Sequence, residues 1–267
     1  MMDTARRLPR LSFGSDGIEQ GSRPLPEEVA VALSFNGSTQ AVMMATPDDL
    51  VDFAYGFALT EGIATPDQIE SVEVQPAGQG IDVQVWLTGD AEARLAARRR
   101  TMAGPVGCGL CGIDSIEQAM RPVAQIAPSA FRMTPAQVMQ AVAALTGRQP
   151  LHDVTRAAHC AAFWTDDGLV AAREDVGRHN ALDKLTGHLI RAGHAQGAVV
   201  LTSRVSIDMV QKVCALGAPV LIAVSAPTAH AVDLADEAGL TLIALARPDR
   251  FEVFTHSDRL MEIAHVR

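Results

Sequence analysis

Three apolar runs, AVVLT (198–202), PVLIAVS (219–225) and LTLIALA (240–246), alternate with two stretches of helical spacing. One stretch passes through Met209 and Val213, and the other runs from Thr228 to Ala238. Strands that are apolar along their whole length are covered on both faces, which implies a parallel sheet with crossover helices. In such a sheet ligands collect beyond the carboxyl ends of the strands, where loops meet helix N-termini. TSRVS (202–206) and SAPT (225–228) occupy that position. Arg204, Ser206, Ser225 and Thr228 are therefore candidate anion ligands, and two such helix starts on consecutive strands suit a phosphate-bearing ligand such as a nucleotide. Ordinary N-capping accounts for either loop alone. No Walker A motif is present and no GxGxxG follows a strand, which argues against ATPase and NAD chemistry.

The upstream half reads differently. Residues 1–26 mix Arg, Pro, Gly and Ser without period and are expected to be a mobile tail. VAVALSF and STQAVMM flank Asn36-Gly37, a type I′ hairpin signal. Thr46 is the expected N-cap of a helix opened by Pro47 and closed by Gly62. SVEVQ and IDVQVWL alternate as half-buried strands, so residues 27–103 form an expected small α+β subdomain of antiparallel strands and one helix. Residues 104–267 then hold a cysteine loop and the larger α/β domain. Thr134-Pro135 opens a further helix, and AHCAAFW and LVAAR read as a hairpin.

Cys108 and Cys111 lie in PVGCGLCGIDS, where glycines let the backbone approach another molecule closely. Thiolates bind soft metals, shuttle electrons or carry sulfur as a persulfide. A structural zinc site needs about four ligands, and no second CxxC or HxxxH follows, so no metal site is expected. The pair reads as reactive sulfur, whereas Cys160 and Cys214 lie in apolar runs and read as core. Arg94, Arg98, Arg99 and Arg100 just upstream are either a solvated helix face or a basic collar favouring thiolate. The chain of 267 residues is 48% hydrophobic and 20% charged, a globular composition, and its net charge of −9 argues against a nucleic-acid surface. Few cysteines, no apolar leader and no long apolar stretch point to a reducing, cytoplasmic setting without a membrane span.

The densest polar cluster is REDVGRHNALDK (173–184), polar or charged at eight of twelve positions. Helical spacing would place Asp175, His179 and Asp183 on one face, making His179 a candidate acid, base or anion ligand. Intrahelical pairing is the plainer alternative, worth about 0.2–0.5 kcal/mol per pair. His152 and His159 could line the same cleft.

CGLCG, EDVGRHNALDK, TSRVSIDMVQK, AVSAPTAHAVDLA and FEVFTH occur in that order, and with FNG…ATPDDLVDFAYGFALTEGI the chain resembles the formate dehydrogenase accessory sulfurtransferase family, FdhD/NarQ, over roughly residues 27–260. The resemblance implies a cytidine-deaminase-like three-layer α/β core with an added N-terminal α+β subdomain. It implies a sulfurtransferase that receives persulfide sulfur from a cysteine desulfurase and passes it to the molybdenum or tungsten bis(guanine dinucleotide) cofactor for formate dehydrogenase. Cys108 would carry the persulfide, with Cys111 as partner. Phe251, Glu252, Val253, Phe254, Thr255 and His256 match the family segment that contacts the cofactor. GDP or a related nucleotide would serve as ligand analogue at the TSRVS and SAPT loops, and a homodimer is expected. The run AGPVG before Cys108, Ile113 after the second glycine, and Arg156-Ala157 before His159 depart from the usual family pattern. No HxE or CxE precedes the cysteines, so the deaminase zinc site is missing. A cofactor chaperone without sulfur transfer is the rival class, separated by thiol chemistry at Cys108, and a disulfide oxidoreductase is a weaker alternative because the CxxC lacks a nearby thioredoxin-like βαβ start.

Overall fold

The computed structural model describes residues 3–89, 91, 122–193 and 196–261. Cys108, Cys111 and the four arginines 94, 98, 99 and 100 lie outside the described residues. The larger sheet has six strands in the order β12-β11-β10-β9-β7-β8. They are β7 (His159–Thr165), β8 (Gly168–Asp175), β9 (Ala198–Leu201), β10 (Val220–Ala223), β11 (Thr241–Arg247) and β12 (Arg250–Val253). The central three strands, β9, β10 and β11, are parallel, as the continuous apolar runs require, and antiparallel hairpins extend the sheet at both sides.

Burial on both faces makes three layers. Phe163, Leu201, Leu221 and Leu242 pack under α4 (Arg178–Ala192), α5 (Ile207–Leu216) and α6 (Ala229–Glu237). Cys160, Val200, Ile222 and Ile243 face the other way, toward Val138 and Val142 of α2 (Pro135–Ala143). Helix α2 begins where its sequence says it should: Thr134 accepts from Gln137 N and Gln137 Oε1 accepts from Thr134 N, a reciprocal cap. A short helix, α3 (Pro150–Thr155), follows it.

A second sheet, in the order β4-β3-β6-β5, comprises β3 (Val29–Phe35), β4 (Ser38–Ala45), β5 (Ile69–Ala77) and β6 (Gly80–Leu87). Val31, Leu33, Phe35, Val83 and Val85 bury one face against α1 (Leu50–Thr60). Asn36 (φ 47) and Gly37 (φ 74) make the left-handed turn between β3 and β4. Two details differ from the expectation. The β3–β6 pair is parallel, because the chain crosses over through α1 before β5 and β6 form. Thr46 is not an N-cap; Asp49, in the left-handed region, precedes Leu50, and Thr46 is buried, its N–H donating to Asp175 Oδ2 (3.0 Å).

Residues 1–26, expected to be a tail without regular structure, instead contain a hairpin of β1 (Ala5–Gly14) and β2 (Gly17–Pro26). Pro9 and Pro24 conceal it in the sequence, but a sheet of only two strands has two open edges where a missing N–H costs little.

Helices α1 and α4 join the two sheets at a seam of buried charge. Asp52 of α1 accepts from Arg173 (Nε 3.0 Å, Nη2 2.8 Å) and from Arg191. Asp183 of α4 accepts from Thr60 (2.7 Å) and from Lys212 of α5 (2.9 Å), and Lys184 pairs with Asp175 (2.7 Å) while donating to Thr46 O. Three of the four charged groups in the last two pairs, Asp175, Asp183 and Lys184, are at most 1% exposed.

Candidate functional site at the carboxyl edge of the sheet

The polar cluster 173–184 divides inside and out. Asp175 ends strand β8 rather than beginning the helix, so the expected face of Asp175, His179 and Asp183 does not form. Asp175, Asn180, Asp183 and Lys184 turn inward to the seam; Asn180 donates to both Met44 O and Asp175 Oδ1. Arg178 and His179 remain half-buried, on the first turn of α4, at the carboxyl edge of the six-stranded sheet.

Beyond Leu201 the chain runs through Thr202–Ser206 into α5. Thr202 Oγ1 accepts from Cys160 N (2.9 Å) and ties this loop to β7 beside His159. Val205 N donates to Ala226 O (3.3 Å) and Thr228 N to Val205 O (3.0 Å), so the TSRVS and SAPT loops form one continuous edge. Ser206 precedes α5 without capping it; its hydroxyl donates to Asp208 Oδ2 (2.9 Å). His179 Nε2 donates to the same oxygen (2.9 Å). The His179 hydrogen bond, aided by Ser206 against the cost of burial, holds the Asp208 carboxyl well below the usual range. Burial, with Arg178 and His179 nearby, pushes the pKa of His159 down. The buried Arg178 Nε has no acceptor among the described residues. Arg204 is exposed on the same edge.

The other expected ligands are disposed differently. Thr228 caps α6, its hydroxyl accepting from Ala231 N (3.2 Å), and Ser225 O accepts from Leu245 N (3.2 Å). The segment 251–256 starts on β12 and runs back along β11: Glu252 lies opposite Ala244 and Val253 opposite Ile243. Phe251 and Val253 pack against the core on the α2 side. Thr255 is buried, accepting from Leu242 N (2.9 Å) and donating to Leu240 O (2.6 Å). His256 Nε2 donates to Asp236 O (2.8 Å), and Phe254 is partly exposed. Thr255 and His256 thus sit at the amino end of β11, away from Arg204, Ser206 and His179 at the carboxyl end. A strand of that length spans roughly 20 Å.

Residues that the sequence did not single out complete the edge. Asp208 is the partner of His179, and the signal for it was the Ser206-x-Asp208 spacing at a helix start.

Residues 26–261 match the model of the FdhD/NarQ family. The chain belongs to this family. It is 54% identical over 261 residues to the sulfur carrier protein FdhD of Agrobacterium fabrum, covering 96% of each chain. Identity is 51% over 262 residues to the FdhD of Brucella abortus, covering 97% of each, and 47% over 239 residues to that of Bordetella bronchiseptica, covering 88% of this chain and 86% of the relative. Among solved structures, a protein described as a formate dehydrogenase accessory protein from Desulfotalea psychrophila superposes with a TM-score of 0.77 at 24% identity, covering 97% of this chain and all of the other. The FdhD/NarQ match begins at Pro26, where the N-terminal hairpin ends, so β1 and nearly all of β2 lie outside it.

Proposed function

We propose that this FdhD-family chain is a sulfurtransferase that accepts sulfur from a cysteine desulfurase as a persulfide on Cys108 and delivers it to the molybdenum or tungsten bis(guanine dinucleotide) cofactor, its substrate, for formate dehydrogenase. In the loading step the Cys108 thiolate attacks the terminal sulfur of the donor's persulfide. One S–S bond forms, the donor's breaks, and the donor cysteine leaves as a thiolate. Cys111 assists by exchange or positioning. The setting is cytoplasmic, and no helix among the described residues is long and apolar enough to cross a membrane. The core is read as cytidine-deaminase-like, which its three layers and parallel centre support.

The observation that carries the cofactor half of this reading is the carboxyl edge itself. In a chain of net charge −9, it brings the guanidinium groups of Arg178 and Arg204 to an edge made of two joined helix starts. That is the arrangement a phosphate-bearing nucleotide needs. GDP is the analogue that would report on it. The sulfur half rests on the CGLCG spacing and on the relatives' description as sulfur carriers.

The test is mass spectrometry after incubation with a cysteine desulfurase and cysteine. A cyanide-labile gain of one sulfur on the peptide holding Cys108 and Cys111, absent from Cys108→Ala, is the expected result. Cofactor binding without any sulfur on that peptide would replace the transferase reading with that of a chaperone.

A further inference from the structure

Strand β8 is the outermost strand of the large sheet, and among the described residues only β7 pairs with it. Its free edge can be read residue by residue. Cys160 N donates to Thr202 Oγ1 and Cys160 O accepts from Thr202 N, so both backbone groups of Cys160 turn away from β8. Glu174 lies opposite Cys160, and in an antiparallel ladder its own N–H and C=O must then point outward. The same holds for Ala172, two residues earlier. Ala172 O is met by the guanidinium of Arg173 (2.9 Å). The N–H groups of Ala172 and Glu174, and Glu174 O, have no partner among the described residues.

This edge is the floor of a slot of about 620 Å³, lined along β8 by residues 170–174. The alternation of the strand sets the two walls. Glu174 leans to the α2 side, where its carboxylate accepts from Leu151 N and His152 N (both 2.8 Å). Pro150, Leu151 and Val154 of α3 make an apolar wall there. Arg173 leans to the α4 side, and Asp48 and Asp49 border the slot on that wall. Negative charge is in excess on it. Arg173 commits Nε (3.0 Å) and Nη2 (2.8 Å) to Asp52 and stands 3.3 Å from Asp49, while Asp48 has no ion pair among the described residues. Burial pushes the Asp49 carboxyl up in spite of Arg173, so its charge is only partly compensated.

We propose that this slot takes an extended segment of a partner protein, with basic and apolar residues in alternation, as a further strand against β8. Glu174 offers such a segment a complete pair of backbone hydrogen bonds, and Ala172 offers one more donor. Successive side chains of a strand point to opposite faces, so the basic ones reach Asp48 and Asp49 while the apolar ones meet Pro150, Leu151 and Val154. The size agrees. A strand residue occupies roughly 3.4 Å of length, 4.8 Å between strands and 10 Å between layers, about 160 Å³, so the slot holds about four residues beside the stretch 170–174. The walls also select the kind of partner. An edge strand in a folded sheet brings its covering layers with it, and these would meet α3 and the start of α1; a lone extended segment passes between them.

Fluorescence anisotropy on the full chain tests this with three labelled pentapeptides. One alternates lysine and valine, one alternates glutamate and valine, and the third is the lysine–valine peptide N-methylated at every backbone amide, which keeps the charge and removes strand pairing. The first should bind at least tenfold more tightly than either of the others. Asp48→Lys should reverse the preference between lysine and glutamate. Ala172→Pro removes an outward N–H without breaking the ladder to β7, and should weaken lysine–valine binding at least fivefold. The melting profile of each variant checks that the fold is kept. Absence of lysine–valine binding overturns the proposal. Equal affinity for the N-methylated peptide, or binding indifferent to both substitutions, also overturns it, since the attraction would then be one of charge alone. If Ala172→Pro alters the sedimentation of the chain without peptide, a second copy holds the edge and the partner segment is excluded.

Discussion

Gly56 of α1 and Gly187 of α4 cross with their backbones in contact. A Cβ built on Gly56 would stand 1.7 Å from Asp183 O, and one on Gly187 would stand 1.8 Å from Asp52 O. The obstruction is backbone in both cases, so no side chain can swing aside. The carbonyls that block these positions belong to Asp183 and Asp52, the two carboxylates that anchor the seam. Close helix approach and buried ion pairing are therefore one construction, and it fixes the smaller sheet against the larger.

Gly187→Ala should separate α1 from α4 and destabilise the protein by on the order of 3 kcal/mol, the upper end of ordinary overpacking. Urea unfolding measures it. A loss below about 0.5 kcal/mol, the range of neutral surface changes, would mean the helices can slide apart at no cost.

Lys212 is buried with Asp183, Thr60 and Glu61 around its ammonium. Asp183 and Glu61 hold its pKa up against the burial that lowers it. Lys212→Met should cost about 3–5 kcal/mol, because Asp183 is left buried without its counter-charge. Adding Asp183→Leu should recover a large share of that loss. If the double variant is no better than the single one, the penalty comes from lost packing and not from the orphaned carboxylate.

His159 gives a pH dependence of definite sign. Its folded pKa is lowered by burial first, then by Arg178 and His179. Between that value and the unfolded one of about 6.5, the unfolded chain binds more protons, so stability must rise with pH across this window and level off above it. His159→Gln should flatten the rise in denaturation midpoints measured from pH 5 to 7.5. An unchanged slope would assign it to another group.

Burial pushes the thiols of Cys160 and Cys214 up to about 12. Both are nearly inaccessible, at 2% and 3% exposure. At pH 8 only about one molecule in ten thousand would hold either as thiolate, so iodoacetamide should leave both unmodified in the folded protein. Peptide mapping that finds either one alkylated without denaturant would show that the core opens on the labelling timescale.

The parallel centre of the large sheet was legible because runs such as Val220–Ala223, apolar at every position, have only one kind of environment that suits them. Asn36-Gly37 and Thr134-Pro135 were legible because each is a local device whose residues are neighbours in the chain. The inward turn of Asp183 and Lys184 was not, since their partners Lys212 and Thr46 lie 29 and 138 residues away. A charged helix face looks the same in sequence whether it meets water or a buried counter-charge. The carboxyl-edge loops could be read from strand and helix order, but the direction in which 251–256 leaves β11 could not, and that direction separates Thr255 and His256 from Arg204.

This separation makes the last prediction. If a guanine nucleotide binds at the carboxyl edge, Arg204→Ala should weaken GDP binding by about 1.5–3 kcal/mol, the usual worth of a hydrogen bond to a charged group. His256→Ala, at the far end of β11, should leave GDP affinity unchanged, because its imidazole is engaged with Asp236 O. Calorimetry on both variants distinguishes the two ends. Loss of affinity in His256→Ala with none in Arg204→Ala would move the nucleotide to the amino end and leave the basic edge for a different anion. Loss in both would require a ligand, or a rearranged β12, that bridges the length of the strand.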